Sequence, residues 1–549
     1  MSKYAKIIST TTQKEKPIDK SEMIKNNAGG YVFQISDEQR LKRFLILGSE
    51  GGTFYVDERK LTIDNAQTVI SMIKNKGDAV LDILKNVCEN RLAPKVSPSI
   101  FVYGLIFIFG DEQLKSKARL LKNLVLQTAE HLFEFCDVVR TASSKKKSFG
   151  KSLRKLISSW YNERNDLGYQ ISKYRNRETW THKKLLRMSH VIPKNEEINR
   201  LFKWAVGKEK FKEDDLEKSK NFVHPYCVDK LVEIRQNFQI KLKENKVEYF
   251  DVFNFIEKYK LTWEMVPSNL LTAEVWEQLL YNLPLTALLK NLGQLSSKNI
   301  FAVNKTKNID HVLKILNDEE YIKKYKLHPI NILNTFKVYK RGRAFKGQLT
   351  WKPNTDILDA LENIFYKSFS NIEPINKKLL VGLDVSGSML NNACCGMKSL
   401  DCATVCLCLG LLWKKIEGSN CIIKAFSEEL MDFPIKANDN LNDIFRKVKS
   451  IPFSRTDCSL PMRYALHEKL FVDCFIIVTD NETWYGDEHP YVSLQKYRNT
   501  INNNAKLIVM ALDGTKFSIA DLNDKGSLDI AGINSSVPDL IRNFILDEI

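Results

Sequence analysis

The hydrophobic pattern of this chain changes period once, near residue 370. Upstream, apolar residues recur at helical spacing: Val80, Ile83, Leu84 and Val87, then Leu153, Leu156, Ile157 and Trp160. Each set is the buried stripe of an amphipathic helix. Such stripes continue to about residue 345, with only Gly30–Ser36 and Thr53–Val56 reading as short extended pieces. Many moderate helices without intervening strands predict an α-solenoid, here without a clean internal repeat. Downstream, Leu379–Val385, Asn420–Phe426, Cys474–Asp480 and Lys506–Leu512 are short apolar runs. Helix-compatible stretches separate them, the pattern of a parallel sheet covered on both faces. At 549 residues one core does not suffice. The expected organisation is a flexible stretch over 1–28, a helical-repeat domain over 29–370 and an α/β domain over 371–549.

Charge follows the same division. The whole chain carries +17; residues 371–549 hold 19 Lys/Arg and 23 Asp/Glu, so the surplus lies in the helical segment. A field of that size concentrates polyanions. The longest apolar run, Ser99–Gly110, is too short to cross a bilayer, and the first residues lack the apolar run of a secretory signal. Eleven cysteines, eight of them at or after Cys394 and none in a C-x-x-C pair, argue against the usual zinc spacings. Cys402, Cys406 and Cys408 read as small apolar residues on a helix. Free thiols in this number suit a reducing compartment, so a soluble intracellular chain is expected.

Ligands of parallel sheets bind at the carboxyl ends of strands. The first strand ends in Asp384-Val385-Ser386-Gly387-Ser388, and alternation points Asp384, Ser386 and Ser388 the same way. Thr456 adds a hydroxyl from a later loop and Asp480 a carboxylate from another strand end. Hard oxygen donors of modest charge suit a divalent metal such as Mg²⁺ or Mn²⁺. The constellation resembles the metal-ion-dependent adhesion site of von Willebrand factor A domains. That resemblance implies a partner's carboxylate in the metal's shell. Enzyme readings are weaker. A haloacid-type phosphatase wants a carboxylate where Ser386 stands, and a two-metal nuclease wants more carboxylates than Asp384 and Asp480, with Asp457 the one nearby addition. Gly150-Lys151-Ser152 mimics the end of a phosphate-binding loop, but Lys145 stands where its first glycine belongs.

A second constellation is basic. Lys145, Lys147, Lys151, Arg154 and Lys155 open it; Lys173, Arg175, Arg177, Lys183 and Arg187 follow, interleaved with Tyr174 and Trp180. Cations neutralise phosphates while exposed aromatic planes stack unpaired bases. His182 and His190, eight residues apart, do not make a metal site. A solvated charged face is the alternative.

Several strings resemble the 60 kDa Ro (SS-A) autoantigen family: Phe44–Tyr55, Trp160–Asn162, Trp180–His190 (WTHKKLLRMSH), Pro284–Gly293, Thr456–Met462 (TDCSLPM), Val478–Glu482 and Ile541–Ile549. The resemblance implies a TROVE module of HEAT-like helix pairs closed into a ring, followed by a Rossmann-like von Willebrand factor A domain. It implies Y RNA on the outer basic surface, with His182 there and Lys173, Arg175 and Lys183 as phosphate contacts. It also implies single-stranded 3′ ends of misfolded noncoding RNA, such as defective 5S rRNA precursors, in a central basic hole. Noncoding RNA quality control without catalysis is the expected role, for a monomer in the cytoplasm and also the nucleus. Further expectations are Mg²⁺ and a protein ligand at the A domain, and no membrane. The competing classes are a metal-dependent RNA-processing enzyme and a protein scaffold whose basic segment is only solvated surface.

Overall fold

A computed structural model describes all residues except 1–11, 17–21, 49–66, 143–148, 178–179, 244–249, 326, 346, 370–372, 453 and 549. Side chains are also left out at 176–177, 237–243, 250–251 and 323. The extended piece expected at Thr53–Val56 and the cations Lys145 and Lys147 therefore lie outside the described residues.

Helices form where the spacing places them. Gly77–Glu89 buries Val80, Leu81, Leu84 and Val87. Lys151–Asn162 buries Leu156, Ile157, Trp160 and Tyr161, with Leu153 partly covered. The helical segment returns on itself: Arg91 donates to the Tyr325 carbonyl at 2.6 Å and Asn331 to that of Pro94 at 3.0 Å. These contacts join the last helices of the array to an early one.

The strands are β1 (Ile24–Lys25), β2 (Tyr31–Gln34), β3 (Asn176–Arg177), β4 (Trp180–Thr181), β5 (Leu379–Asp384), β6 (Cys421–Phe426), β7 (Leu430–Met431), β8 (Cys474–Thr479), β9 (Lys506–Ala511), β10 (Phe517–Ser518) and β11 (Ser527–Ala531). Six make one sheet, ordered β11-β9-β8-β5-β6-β7, parallel except for β7. Every residue of the central strands β5 and β8 is buried, which is why their sequences read as continuous apolar runs. The Cys402–Glu417 helix buries Cys402, Cys406 and Cys408, as their apolar reading requires.

The two segments are tied by the chain's beginning. β2 is extended as Gly30–Ser36 suggests, but it pairs antiparallel with β10, far along in the A domain, as well as with β1. Gln13 is fully buried; its amide donates to Asp457 Oδ1 at 2.6 Å and to the Glu488 carbonyl at 3.0 Å. Asn26 donates to the Thr483 carbonyl at 2.6 Å. The expected flexible stretch over 1–28 is thus corrected for residues 12–16 and 22–28, which pack as part of the structure. Apart from the buried Met23, their anchors are polar groups, so no hydrophobic period announces them. Gly30 has a steric reason: a Cβ there would stand 2.0 Å from the Thr483 carbonyl oxygen. Beyond β2, the Asp37–Leu47 helix sends the buried Arg43 into the A domain. Its guanidinium meets both Asp529 carboxylate oxygens at 2.6 Å and the Thr515 and Phe517 carbonyls at 2.7 and 2.8 Å.

Candidate nucleic-acid interface and metal centre

β5 and β8 lie side by side, so their carboxyl ends bring Asp384 and Asp480 together. Asp384 Oδ1 accepts from the Ser386 amide at 2.9 Å and Oδ2 from the Thr479 hydroxyl at 2.6 Å. The Ser386 and Ser388 hydroxyls are 3.2 Å apart. The Gly387 amide donates to the Ser454 carbonyl at 2.9 Å, which sets the loop carrying the buried Thr456 beside this turn. Asp480 Oδ1 accepts from the Glu482 amide at 3.0 Å, whereas its Oδ2 is buried without a hydrogen-bond partner. Burial, followed by the Asp480 charge, pushes the Asp384 carboxyl well above the usual carboxylate range. Burial also raises Asp480, opposed by the Ser388 hydroxyl and the Glu482 amide.

The residues present fit a hard divalent cation. An orphaned buried carboxylate oxygen, a second carboxylate beside it and nearby hydroxyls are donors that Mg²⁺ accepts. Among the described residues no group of three or more His, Cys, Asp or Glu stands ready to hold a metal. Thr479, which anchors Asp384, and Gln13, which anchors Asp457, escaped the sequence reading. The first sits inside an apolar run and the second is 444 residues from its partner.

The basic cluster divides. Lys151 and Lys155 are exposed and Arg154 is half-buried, its Nε donating to the Phe149 carbonyl at 2.9 Å. With Ser158, Ser159, Asn162 and His190 they line an open groove of about 750 Å³. Ser158, Ser159 and Asn162 were legible as the continuation of the Lys151–Lys155 face at i+4 and i+7. Lys183 and Arg187 are exposed on the His182–Ser189 helix, which Thr181 caps at 3.1 Å. Arg175 is exposed, and the side chain of Arg177 lies outside the described residues. Lys173 is engaged: its ammonium lies over Tyr169 and Tyr174, 5.5 and 5.2 Å from the ring centroids, and 3.8 Å from Glu264.

One expectation is corrected, and the two aromatics of the basic cluster prove to be core. His182 is buried, not on the outer surface. Its Nε2 meets the Tyr174 carbonyl at 3.0 Å, so that nitrogen carries the proton and Nδ1 accepts from the Tyr161 hydroxyl at 2.7 Å. Trp180 is buried, stacked on Phe149 and covered by the Lys184 ammonium 4.7 Å from its ring. Tyr174 is 8% exposed, so neither aromatic offers a free stacking face. Phe133, from the Ala129–Ala142 helix, packs against the His182 ring.

A helical-repeat segment joined to a parallel-sheet domain, with D-x-S-x-S at the central strand end, defines a TROVE–von Willebrand A protein. Residues 24–337 match the TROVE domain and residues 378–545 the Ro60 vWA domain. The RNA-binding protein RO60 of Caenorhabditis elegans is 33% identical over 592 residues, covering 96% of this chain and 91% of that protein. The RNA-binding protein RO60 of Deinococcus radiodurans is 29% identical over 535 residues, 96% of each. The crystal structure of the Deinococcus radiodurans RO (RSR) protein matches with a TM-score of 0.67 at 29% identity, covering 94% of this chain and 100% of that one. The chain belongs to the Ro60 family.

Proposed function

We propose that the chain is the RNA-binding component of Ro ribonucleoproteins. Y RNA binds the basic outer surface, and single-stranded 3′ ends of misfolded noncoding RNA enter a basic hole, in quality control without catalysis. The observation that carries this reading is the open groove of about 750 Å³ whose Lys151 and Lys155 face solvent. Cations held that way bind phosphates and read strandedness rather than base sequence. The two RO60 relatives are RNA-binding proteins by name, which supports the same class of ligand.

Asp384, Ser386, Ser388, Thr456 and Asp480 would hold Mg²⁺, which supplies a coordination point for the carboxylate of a protein ligand. Around it the chain's own residues orient the donors: the Thr479 hydroxyl fixes Asp384 at 2.6 Å and the Glu482 amide fixes Asp480 at 3.0 Å. A cytoplasmic and nuclear monomer is part of the proposal. Incubation with a labelled hairpin RNA carrying a single-stranded 3′ tail tests it. Retention of intact RNA with and without Mg²⁺ is expected; Mg²⁺-dependent shortened products would support the enzyme reading instead.

A further inference from the structure

A second basic groove lies far from the first in sequence. It runs along the junction between the Pro329–Arg341 helix with its following hairpin and the A domain, and encloses about 670 Å³. Lys340, Arg341 and Arg343 come from the helical segment; Lys398, Arg446 and Lys449 come from the A domain. Opposite sides of one cleft therefore carry the same sign. Among the described residues the lining has one carboxylate, Asp401, already paired with Lys337 at 2.8 Å. Arg446 is partly neutralised by Asp443, and Lys340 donates to Asn442. The side chains of Arg343, Lys398 and Lys449 are exposed and have no partner among the described residues. Burial, then the charges of Arg446 and Lys449, depress the Lys340 ammonium against the opposing pull of Asp443 and Glu362. A mildly acidic domain has no need of such a rim for solubility.

The cleft also holds a half-exposed aromatic ring. Phe345 is 46% exposed in the hairpin closed by the Arg343–Thr350 bridge, with the Arg341 guanidinium 5.9 Å from its ring. Tyr174 and Trp180, the aromatics of the first basic cluster, are both buried. Exposed cations flanking an open ring match a phosphate backbone with a base stacked on the ring. An acidic peptide would use the charges and leave the ring idle. A duplex keeps its bases paired and cannot reach into a cleft of this size.

We propose that this junction groove is a second binding site for single-stranded RNA, with Arg343, Lys398 and Lys449 on phosphates and Phe345 stacking a base. It rests on the RNA-binding reading above and adds a contact made jointly by both domains. Single-stranded RNA held there would bridge the helical array and the A domain.

The full chain, its Arg343→Ala/Lys398→Ala/Lys449→Ala variant and a Lys151→Ala/Lys155→Ala variant are titrated with a labelled oligouridine of about 20 nucleotides at several salt concentrations. Each single-strand phosphate contact contributes about −0.7 to the slope of log affinity against log salt. The triple variant is expected to flatten that slope by about 2 and to keep the wild-type melting transition. Phe345→Ala is expected to weaken binding about tenfold with the slope unchanged. An unchanged slope in the triple variant, with a flattened one in the Lys151/Lys155 variant, overturns the groove and leaves the RNA-binding reading standing. No binding by the wild-type chain overturns both. Displacement of oligouridine by polyglutamate at equal charge concentration overturns the choice of RNA over an acidic peptide.

Discussion

His182 shows how burial redirects a residue's role. Because its ring bridges the Tyr161 hydroxyl and the Tyr174 carbonyl, it fixes the turn that precedes Arg175 and starts the helix carrying Lys183 and Arg187. Its influence on RNA passes through that turn. His182→Gln retains a donor for Tyr174 and an acceptor for Tyr161, so we expect RNA affinity near wild type, whereas His182→Ser loses both bonds and lowers it. Equal, large losses for the two in a filter-binding assay would point to direct contact instead. Titration gives a second check. Burial pushes His182 down to about 3 and His328 down to about 4. The unfolded chain takes up these protons near pH 6.5, so the stability they contribute is complete above that pH and is lost as pH falls towards the folded values. We expect denaturation midpoints to drop between about pH 6.5 and 4, at up to about 1.4 kcal/mol per unit per histidine. In His182→Gln the slope should be shallower by one histidine's share, and an identical slope would contradict the assignment.

Among elements, residues 12–16 and 22–28 and the Asp37–Leu47 helix tie the chain's beginning to the A domain. Arg43→Ala leaves Asp529 buried without its cation, and we expect a loss of about 3–5 kcal/mol in chemical denaturation, a loss that Arg43→Lys should not restore because one ammonium cannot make the forked contact. A change within error of zero would show that the pair is dispensable. Gln13→Ala removes the donor to Asp457 and should cost about 1–3 kcal/mol. None of this was legible beforehand. Strands β5 and β8 declare themselves as apolar runs, and the Lys151–Asn162 helix as a stripe, because burial imposes a period. Gln13 and Arg43 have partners more than four hundred residues away and belong to no period. The D-x-S-x-S string marked the turn, but not by alternation: β5 ends at Asp384 and Gly387–Asn391 is helical, so the Ser386 and Ser388 hydroxyls meet across a strand-to-helix turn. The rings packed on His182 and Trp180, Phe133 and Phe149, come from elsewhere in the chain, so their burial was not legible.

For the whole molecule, charge asymmetry sets the behaviour towards polyanions. The surplus of the +17 chain sits in the helical segment, and exposed Lys151, Lys155, Lys183 and Arg187 present part of it to solvent. Four single-strand phosphate contacts predict an affinity loss of about fiftyfold for a roughly fourfold rise in salt. A flat response would defeat a mechanism built on charge. The most direct test of the central claim compares a hairpin RNA with a single-stranded 3′ tail and the same hairpin blunt-ended, bound by the full chain and by its Lys151→Ala/Lys155→Ala/Lys183→Ala/Arg187→Ala variant. A salt-sensitive preference for the tailed RNA, lost in the variant, is the expected result. Equal weak binding of both RNAs by both proteins would contradict it and make the basic cluster a solvated face.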